Sequence, residues 1–217
     1  MVKKKSGKPD FKVPIPFTAE KVKDEDLKDK AVAVKLQTTV AGAPLMNPIT
    51  EFQPIFNQGT TEQYFKWIAN LQNVMSDHTV REKFQIALKT LKGSDRDLWM
   101  AQANLHGPVL VDVLVSEAAK ERLFVASIDL LSVHVLKEDF AGVYQRRYLL
   151  QYLFLGTVGV RTFCDRLDVL SSYMLFFPPD DGVRFERLSE REKQSILHDA
   201  LPPSYICLLY TSDAADE

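Results

Sequence analysis

The chain has 217 residues, 46% of them apolar, with 27 basic and 29 acidic side chains for a net charge of −2 and only two cysteines. The apolar share is ordinary for a globular core, the length suits one large or two small domains, and near-neutrality gives no global argument for nucleic acid. So few cysteines exclude a disulfide framework or a cysteine-rich zinc site and make a reducing, intracellular setting the default; no apolar run approaches the roughly 20 residues of a membrane span, and the Lys-rich start lacks the apolar stretch of a signal peptide.

Residues 1–30 read as a disordered tail. Lys3, Lys4, Lys5, Lys8 and Lys12 surround a single acid, Asp10, and Pro9, Pro14 and Pro16 block regular structure before a mixed-charge stretch. Such a segment buries too little apolar surface to offset its ordering entropy. The basic cluster fits a solvated tail, an RNA-phosphate contact or an import signal. Residues 31–56 suggest a short β-hairpin. Val32, Val34 and Leu36 alternate onto one face, Phe52 to Phe56 is the candidate partner with Pro54 confining it to an edge, and the link AGAPLMNP is turn-rich.

From Thr60 the period becomes helical. Thr60 with Gln63 forms a capping box, and Tyr64, Trp67, Ile68, Leu71, Val74 and Met75 repeat on one face. Thr79 with Glu82 starts a second helix, with Phe84, Ala87, Leu88 and Leu91 inward and Gly93 placed to end it. Ser94 opens a short third helix carrying Leu98, Trp99 and Leu105, closed by Gly107-Pro108. The apolar stretch from Val111 to Leu136 predicts one long helix or two in succession, with Leu114, Ala118, Val125 and Ile128 suited to its buried face.

A further helix is expected from Glu138 to Phe154, punctuated by Gly156. The clearest period follows: Val160, Phe163, Cys164, Leu167, Leu170, Ser171 and Met174, stopped by Pro178-Pro179. After the loop PPDDGVRFER, Ser189 with Glu192 caps a last helix bearing Ile196, Leu197 and Ala200, ended by Pro202-Pro203. The expected fold is therefore all-α, a multi-helix bundle in two lobes, residues 57–155 and 156–206, behind the hairpin.

Residues 207–217, CLLYTSDAADE, resemble the translation of a transposase-based sequencing adapter. They are read as a non-native tail, which makes the frame incomplete and sets the expected end of native sequence at Tyr205 or Ile206. Without Asp213, Asp216 and Glu217 the net charge moves from −2 to +1, and Cys164 is left as the native cysteine.

No catalytic or metal constellation is evident. His78, His106, His134 and His198 are scattered without an i, i+4 partner, and Cys164 falls on an inward stripe where a thiol behaves as a small hydrophobe. There is no P-loop, G-x-G-x-x-G or G-x-S-x-G motif, and Asp95 and Asp97 suit a helix N-terminus. Neither a cofactor nor a small-molecule substrate is expected, and no enzyme activity. Tyr144, Arg146, Arg147 and Tyr148 interleave aromatics with bases; this suits stacking and phosphate contact with single-stranded RNA, or a core face of tyrosines flanked by arginines that face solvent or pair with acids of a neighbouring helix.

Taken in order, NQGTTEQYFKWIANLQNV, ALKTLKGSDRDLWMAQ, YQRRYLLQYLF, VRTFCDRLDVLSSYMLFFP and LSEREKQSILHDALPPSY resemble the capsid region of Gag from gypsy-like long-terminal-repeat retrotransposons, over roughly Phe52 to Tyr205. Within it, VRTFCDRL is similar to the major homology region of retroviral capsids, with Phe163, Arg166 and Leu167 in place but without that region's Gln and Glu. The resemblance implies a shell subunit that self-assembles into a virus-like particle in the cytoplasm. The first lobe would form rings and the second twofold contacts through the Phe163–Phe177 helix and the following loop. Element RNA would be packaged by a zinc knuckle beyond Tyr205. It also points to Trp67, Gly93, Trp99, Phe163, Arg166 and Leu167 as structural or assembly residues. Arg166 is then either an organiser that hydrogen-bonds loop carbonyls within the second lobe or an exposed arginine on a helix face. The competing expectations are a gag-derived helical adaptor for a protein partner, and a nucleic-acid regulator using Lys3, Lys4, Lys5, Arg146 and Arg147.

Overall fold

The computed structural model describes residues 13–18, 31–35, 39–40, 43–44, 50–75, 78–137 and 141–202. The chain is mostly helical, with a short antiparallel sheet, and divides into two compact units, residues 20–138 and residues 1–19 together with 139–217.

In the unit 20–138, strand β1 (Ala31–Lys35) is followed by the two-residue strands β2 (Thr39–Val40) and β3 (Ala43–Pro44), which pair with each other, and by β4 (Thr50–Pro54). β1 pairs antiparallel with β4, Val32 opposite Gln53 and Ala31 opposite Pro54. Pro54 lies at the end of that register in a two-stranded sheet, where its missing N–H leaves the ladder intact. The expected hairpin is therefore present, its second strand beginning at Thr50. Leu36 lies outside the described residues.

Helix α1 (Thr61–Val74) starts as the capping box requires: Gln63 N–H donates to Thr60 Oγ1 at 3.3 Å, and Thr60 N–H to Gln63 Oε1 at 2.9 Å. The box at Thr79 and Glu82 opens α2 (Val80–Thr90) in the same way. The inward stripe of α1 is buried throughout, from Tyr64 to Met75. Between β4 and α1, Phe56 bonds the end of α2. Its N–H donates to Thr90 O at 2.8 Å, and Lys92 N–H donates to Phe56 O at 3.1 Å.

Helix α3 runs from Gly93 to Val111, through Gly107 and Pro108 rather than ending there. Pro108 sits in the last turn, where one intrahelical bond is lost, while Leu110 beyond it is buried. The helix does carry Leu105, which is 67% exposed. Gly93 does not terminate α2, which ends at Thr90. It is the first residue of α3 and has φ +58°, a left-handed conformation that favours glycine.

The stretch 111–136 forms one helix, α4 (Glu117–Leu136), after an irregular link. Its buried face is Lys120, Phe124, Ser127, Leu131 and Ser132, not the predicted Leu114, Ala118, Val125 and Ile128. Leu114 lies outside the helix, Ala118 and Val125 are exposed and Ile128 is half-buried. Apolar residues encircle α4, so their distribution selects no face; partners for its polar residues do. Ser132 Oγ meets Tyr64 Oη at 2.9 Å and Lys83 Nζ donates to Glu121 Oε2 at 2.9 Å, while Ser127 and Lys120 are satisfied within α4 by Leu123 O and Glu117.

The other unit contains α5 (Ala141–Gln151), α6 (Val160–Tyr173) with a single 3-10 turn at Met174–Phe176, and α7 (Glu190–Ala200). α5 is shorter than the predicted 138–154; residues 138–140 lie outside the described set. It belongs with α6 and α7, so the division falls at 138/139 and not at Gly156. Phe163, Leu167, Leu170, Ser171 and Met174 are buried as expected, whereas Val160 is exposed and Cys164 only half-buried. The loop after α6 folds on a tight turn. Asp180 and Val183 exchange backbone hydrogen bonds of 3.0 and 2.8 Å around Asp181 (φ +46°) and Gly182 (φ +79°), the left-handed pair that an Asp-Gly turn favours. Ser189 and Glu192 form the third capping box. Among the described residues no helix is long and apolar enough to cross a membrane.

Residues 13–18 correct the reading of a uniform tail over 1–30. They pack within this second unit, and Ile15 is completely buried.

Candidate functional site

Two features of the molecule go beyond what is needed to hold its cores together. The first is the seat of residues 13–18. Val13-Pro14-Ile15-Pro16-Phe17 alternates apolar side chains with prolines, whose fixed φ lowers the entropy of an extended segment. Prolines lack N–H groups, so residues 14–17 carry only two backbone donors, those of Ile15 and Phe17, and both are taken. Ile15 N–H donates to Gln145 Oε1 at 3.0 Å, and Phe17 N–H to Tyr148 Oη at 3.3 Å. Three of the carbonyls are met as well. Gln145 Nε2 donates to Ile15 O at 3.0 Å, Arg166 Nη2 to Pro16 O at 2.8 Å and Arg166 Nε to Phe17 O at 2.7 Å.

Gln145 thus bonds the Ile15 peptide in both directions from a buried position on α5, as a neighbouring β-strand would. Below it the Phe17 ring lies 4.8 Å from that of Phe163, itself fully buried on α6. Of the residues predicted here, Phe163, Arg166 and Leu167 all fall in this unit. Leu167 is core. Arg166 is half-buried and bonds carbonyls of the N-terminal segment, Pro16 O and Phe17 O.

The second feature is apolar surface in the unit 20–138. Between α3 and α4, Val113 and Leu114 are each 91% exposed, and Val111 is 56% exposed. The loop is well formed. Leu114 N–H donates to Asp112 Oδ1 at 2.8 Å, and Ser116 caps α4 by accepting from Ala119 N–H. Val125, Leu130 and Val133 on α4 also face solvent.

Trp67 and Trp99 contribute to neither feature. Trp67 stacks on Tyr64 at 5.9 Å and donates to Thr90 Oγ1 at 3.1 Å. Trp99 packs against Phe84 at 5.1 Å and Phe124 at 5.6 Å and donates to Phe84 O at 3.0 Å. Both are pillars of the core. Gly93 shares that structural role at the turn into α3.

Arg146 is engaged within the fold. Its Nη2 lies 2.7 Å from Glu192 Oε1, and Nη1 donates to Glu186 O. This is the reading of arginines that pair with acids of a neighbouring helix. Arg147 is exposed and donates to Gln151 Oε1 at 3.3 Å. Lys3, Lys4 and Lys5 lie outside the described residues. Bonds from Ser189, first its backbone N–H, together with Arg146 hold the Glu192 carboxyl below the usual glutamate range.

Two perturbed groups lie deep in the unit 20–138, the Tyr64 hydroxyl and the Asp95 carboxyl. Burial pushes the Tyr64 hydroxyl far above its ordinary range, which keeps it protonated as the partner of Ser132. Burial also raises the Asp95 carboxyl, opposed by His134 at 3.5 Å, by Lys137 and by the Gln58 backbone N–H. Asp95 thereby ties the loop before α1 to the end of α4. Among the described residues no group of three His, Cys, Asp or Glu is placed to hold a metal. What the sequence reading missed is the seat of residues 13–17; the available signal was Val-Pro-Ile-Pro-Phe itself, which is more apolar than a solvated tail needs to be.

No protein-family model, curated protein or solved structure matches the chain.

Proposed function

We propose that this chain is a structural, self-associating protein, a Gag-type capsid subunit that builds a cytoplasmic virus-like particle around element RNA and catalyses no reaction. The observation that carries the reading is the α3–α4 loop, which holds Val113 and Leu114 almost fully in solvent on a well-bonded backbone. A contiguous patch of exposed apolar groups marks a surface that another chain covers. Small contacts of this kind stabilise closed assemblies when each subunit makes several of them. The five ordered segments that resemble the gypsy-like capsid region supply the family. RNA would be held through a zinc knuckle expected downstream of Tyr205.

The test is light scattering and negative-stain microscopy on the purified chain over a wide concentration range. Assembly that sets in steeply with concentration, giving closed particles, is the expected result. A chain that stays monomeric or dimeric throughout points to the second reading, an adaptor that binds a protein partner. That alternative is favoured by one observation, the peptide-shaped seat on α5 and α6.

A further inference from the structure

We infer that the surface formed by Gln145, Tyr148, Phe163 and Arg166 is a peptide-recognition site, and that in the associated state it takes the Val13–Phe17 strap of a second copy of this chain. Among the described residues, the strap meets its seat through Ile15, Pro16 and Phe17. Ile15 supplies a fully buried side chain and Phe17 a ring against Phe163, while both available N–H groups and three successive carbonyls, those of Ile15, Pro16 and Phe17, are bonded by side chains of α5 and α6. No backbone ladder and no covalent neighbour is required, so a strap arriving from another molecule makes the same contacts.

The bonding pattern also defines the ligand. It must be extended, with an apolar residue two places before an aromatic one and no N–H group needing a partner at the position between them. This is the pattern Ile-Pro-Phe.

The chain that follows the strap suits exchange. Nine of residues 19–30 are charged, and twelve extended residues span up to about 40 Å. Because the strap is tethered, its own copy competes at an effective concentration on the order of millimolar. A second copy displaces it only where subunits are crowded together. Exchange of an identical element is a route to association that needs no new surface.

This inference shares with the shell reading only the need for a second copy, and its test separates the two. A fluorescein-labelled peptide of residues 11–20 is titrated into the chain lacking residues 1–18, with fluorescence polarisation as the readout. Saturable binding is expected, at least ten-fold weaker to the intact chain, whose own strap competes. It should be lost in the peptide carrying Ile15→Asp and reduced ten-fold or more by Gln145→Ala or Arg166→Ala in the protein. No binding by a folded strap-less chain overturns the site. Should deletion unfold the chain, excess peptide is expected to restore its helical signal, and failure to do so counts against the site equally.

Exchange itself is tested by complementation. A full-length chain with Ile15→Asp and Phe17→Asp keeps a working seat, and one with Gln145→Ala and Arg166→Ala keeps a working strap. Mixing them should give a heterodimer that neither forms alone, while peptide binding without that heterodimer refutes exchange. Particle formation is scored separately, so a chain that exchanges straps without forming shells sinks the shell reading alone.

Discussion

Replacing Val113 and Leu114 together by serine should separate association from folding. Both side chains are 91% exposed, so their truncation removes almost no buried area from the monomer, and surface changes of this kind stay within about 0.5 kcal/mol. The bond from Leu114 N–H to Asp112 is made by the backbone and survives. In an interface the same side chains would lose their water. Full burial of a Val or Leu contributes about 1.5–3 kcal/mol, so even half-burial of the two gives about 1.5–3 kcal/mol per contact. At about 1.4 kcal/mol per decade, that is a loss of roughly ten- to a hundred-fold in affinity, multiplied wherever a subunit makes the contact more than once. The assay pairs urea unfolding with sedimentation velocity. The expected outcome is an unchanged midpoint and a self-association threshold moved upward by one to two orders of magnitude. A large fall in stability would mean the loop is covered within the chain, and an unmoved threshold would mean that it is not an interface; either result refutes the reasoning.

Tyr64→Phe deletes one partner of a buried hydroxyl pair and leaves Ser132 Oγ without it; a loss of about 1–2 kcal/mol is expected in urea unfolding, and no loss would mean that the pair contributes nothing. At Gly142 an added Cβ would sit 2.7 Å from Phe185 Cζ, so Gly142→Ala should destabilise by about 1–3 kcal/mol, with Gly142→Ala/Phe185→Leu recovering part of it; a neutral Gly142→Ala excludes this packing. The Glu192 carboxyl is held low in the folded state, so its contribution is fully present above the unfolded value of 4.5 and is lost as pH falls through the depressed folded value. Stability of the wild type and of Glu192→Gln should therefore differ at neutral pH, by about 1 kcal/mol for a cap and a half-exposed ion pair, and converge on acidification; parallel curves down to the acid limit would rule the linkage out.

What could be read from the sequence was what is local. Three capping boxes lie within four residues each, and the structure forms all three. The α1 stripe has no rival face, so its burial follows from periodicity alone. α4 failed that test because Val and Leu surround it, leaving the choice of face to polar partners such as Tyr64, 68 residues away from Ser132. Gly107-Pro108 looked like a stop because local rules place it there, yet a proline in a last helical turn removes only one bond. The seat of the strap is the extreme case, since Ile15 meets Gln145 across 130 residues. No window along the chain contains both. The predicted site residues divide along the same line. Trp67, Trp99, Phe163 and Leu167, named with the resemblance, also fall on the helical period, and they are core. Arg166 was named on the same resemblance, and its partners include Pro16 and Phe17, about 150 residues away.

The two surface features make opposite demands on concentration, and together they specify how association should begin. The α3–α4 loop is open in every monomer, so its contact strengthens in proportion to the number of neighbours. The strap seat is closed in the monomer by the chain's own Val13–Phe17 and opens to a second copy only against a tethered competitor at about millimolar effective concentration. On the proposed reading, contacts at the open loop come first and gather copies, and strap exchange follows within the gathered state. Deleting the strap removes the competitor but also the ligand, so a chain lacking residues 1–18 should still associate through its loop and lack the later, slower phase. A chain with Val113→Ser and Leu114→Ser should lose both phases, although its straps and seats are intact. Stopped-flow light scattering resolves the order, and a slow phase that persists without the strap contradicts it.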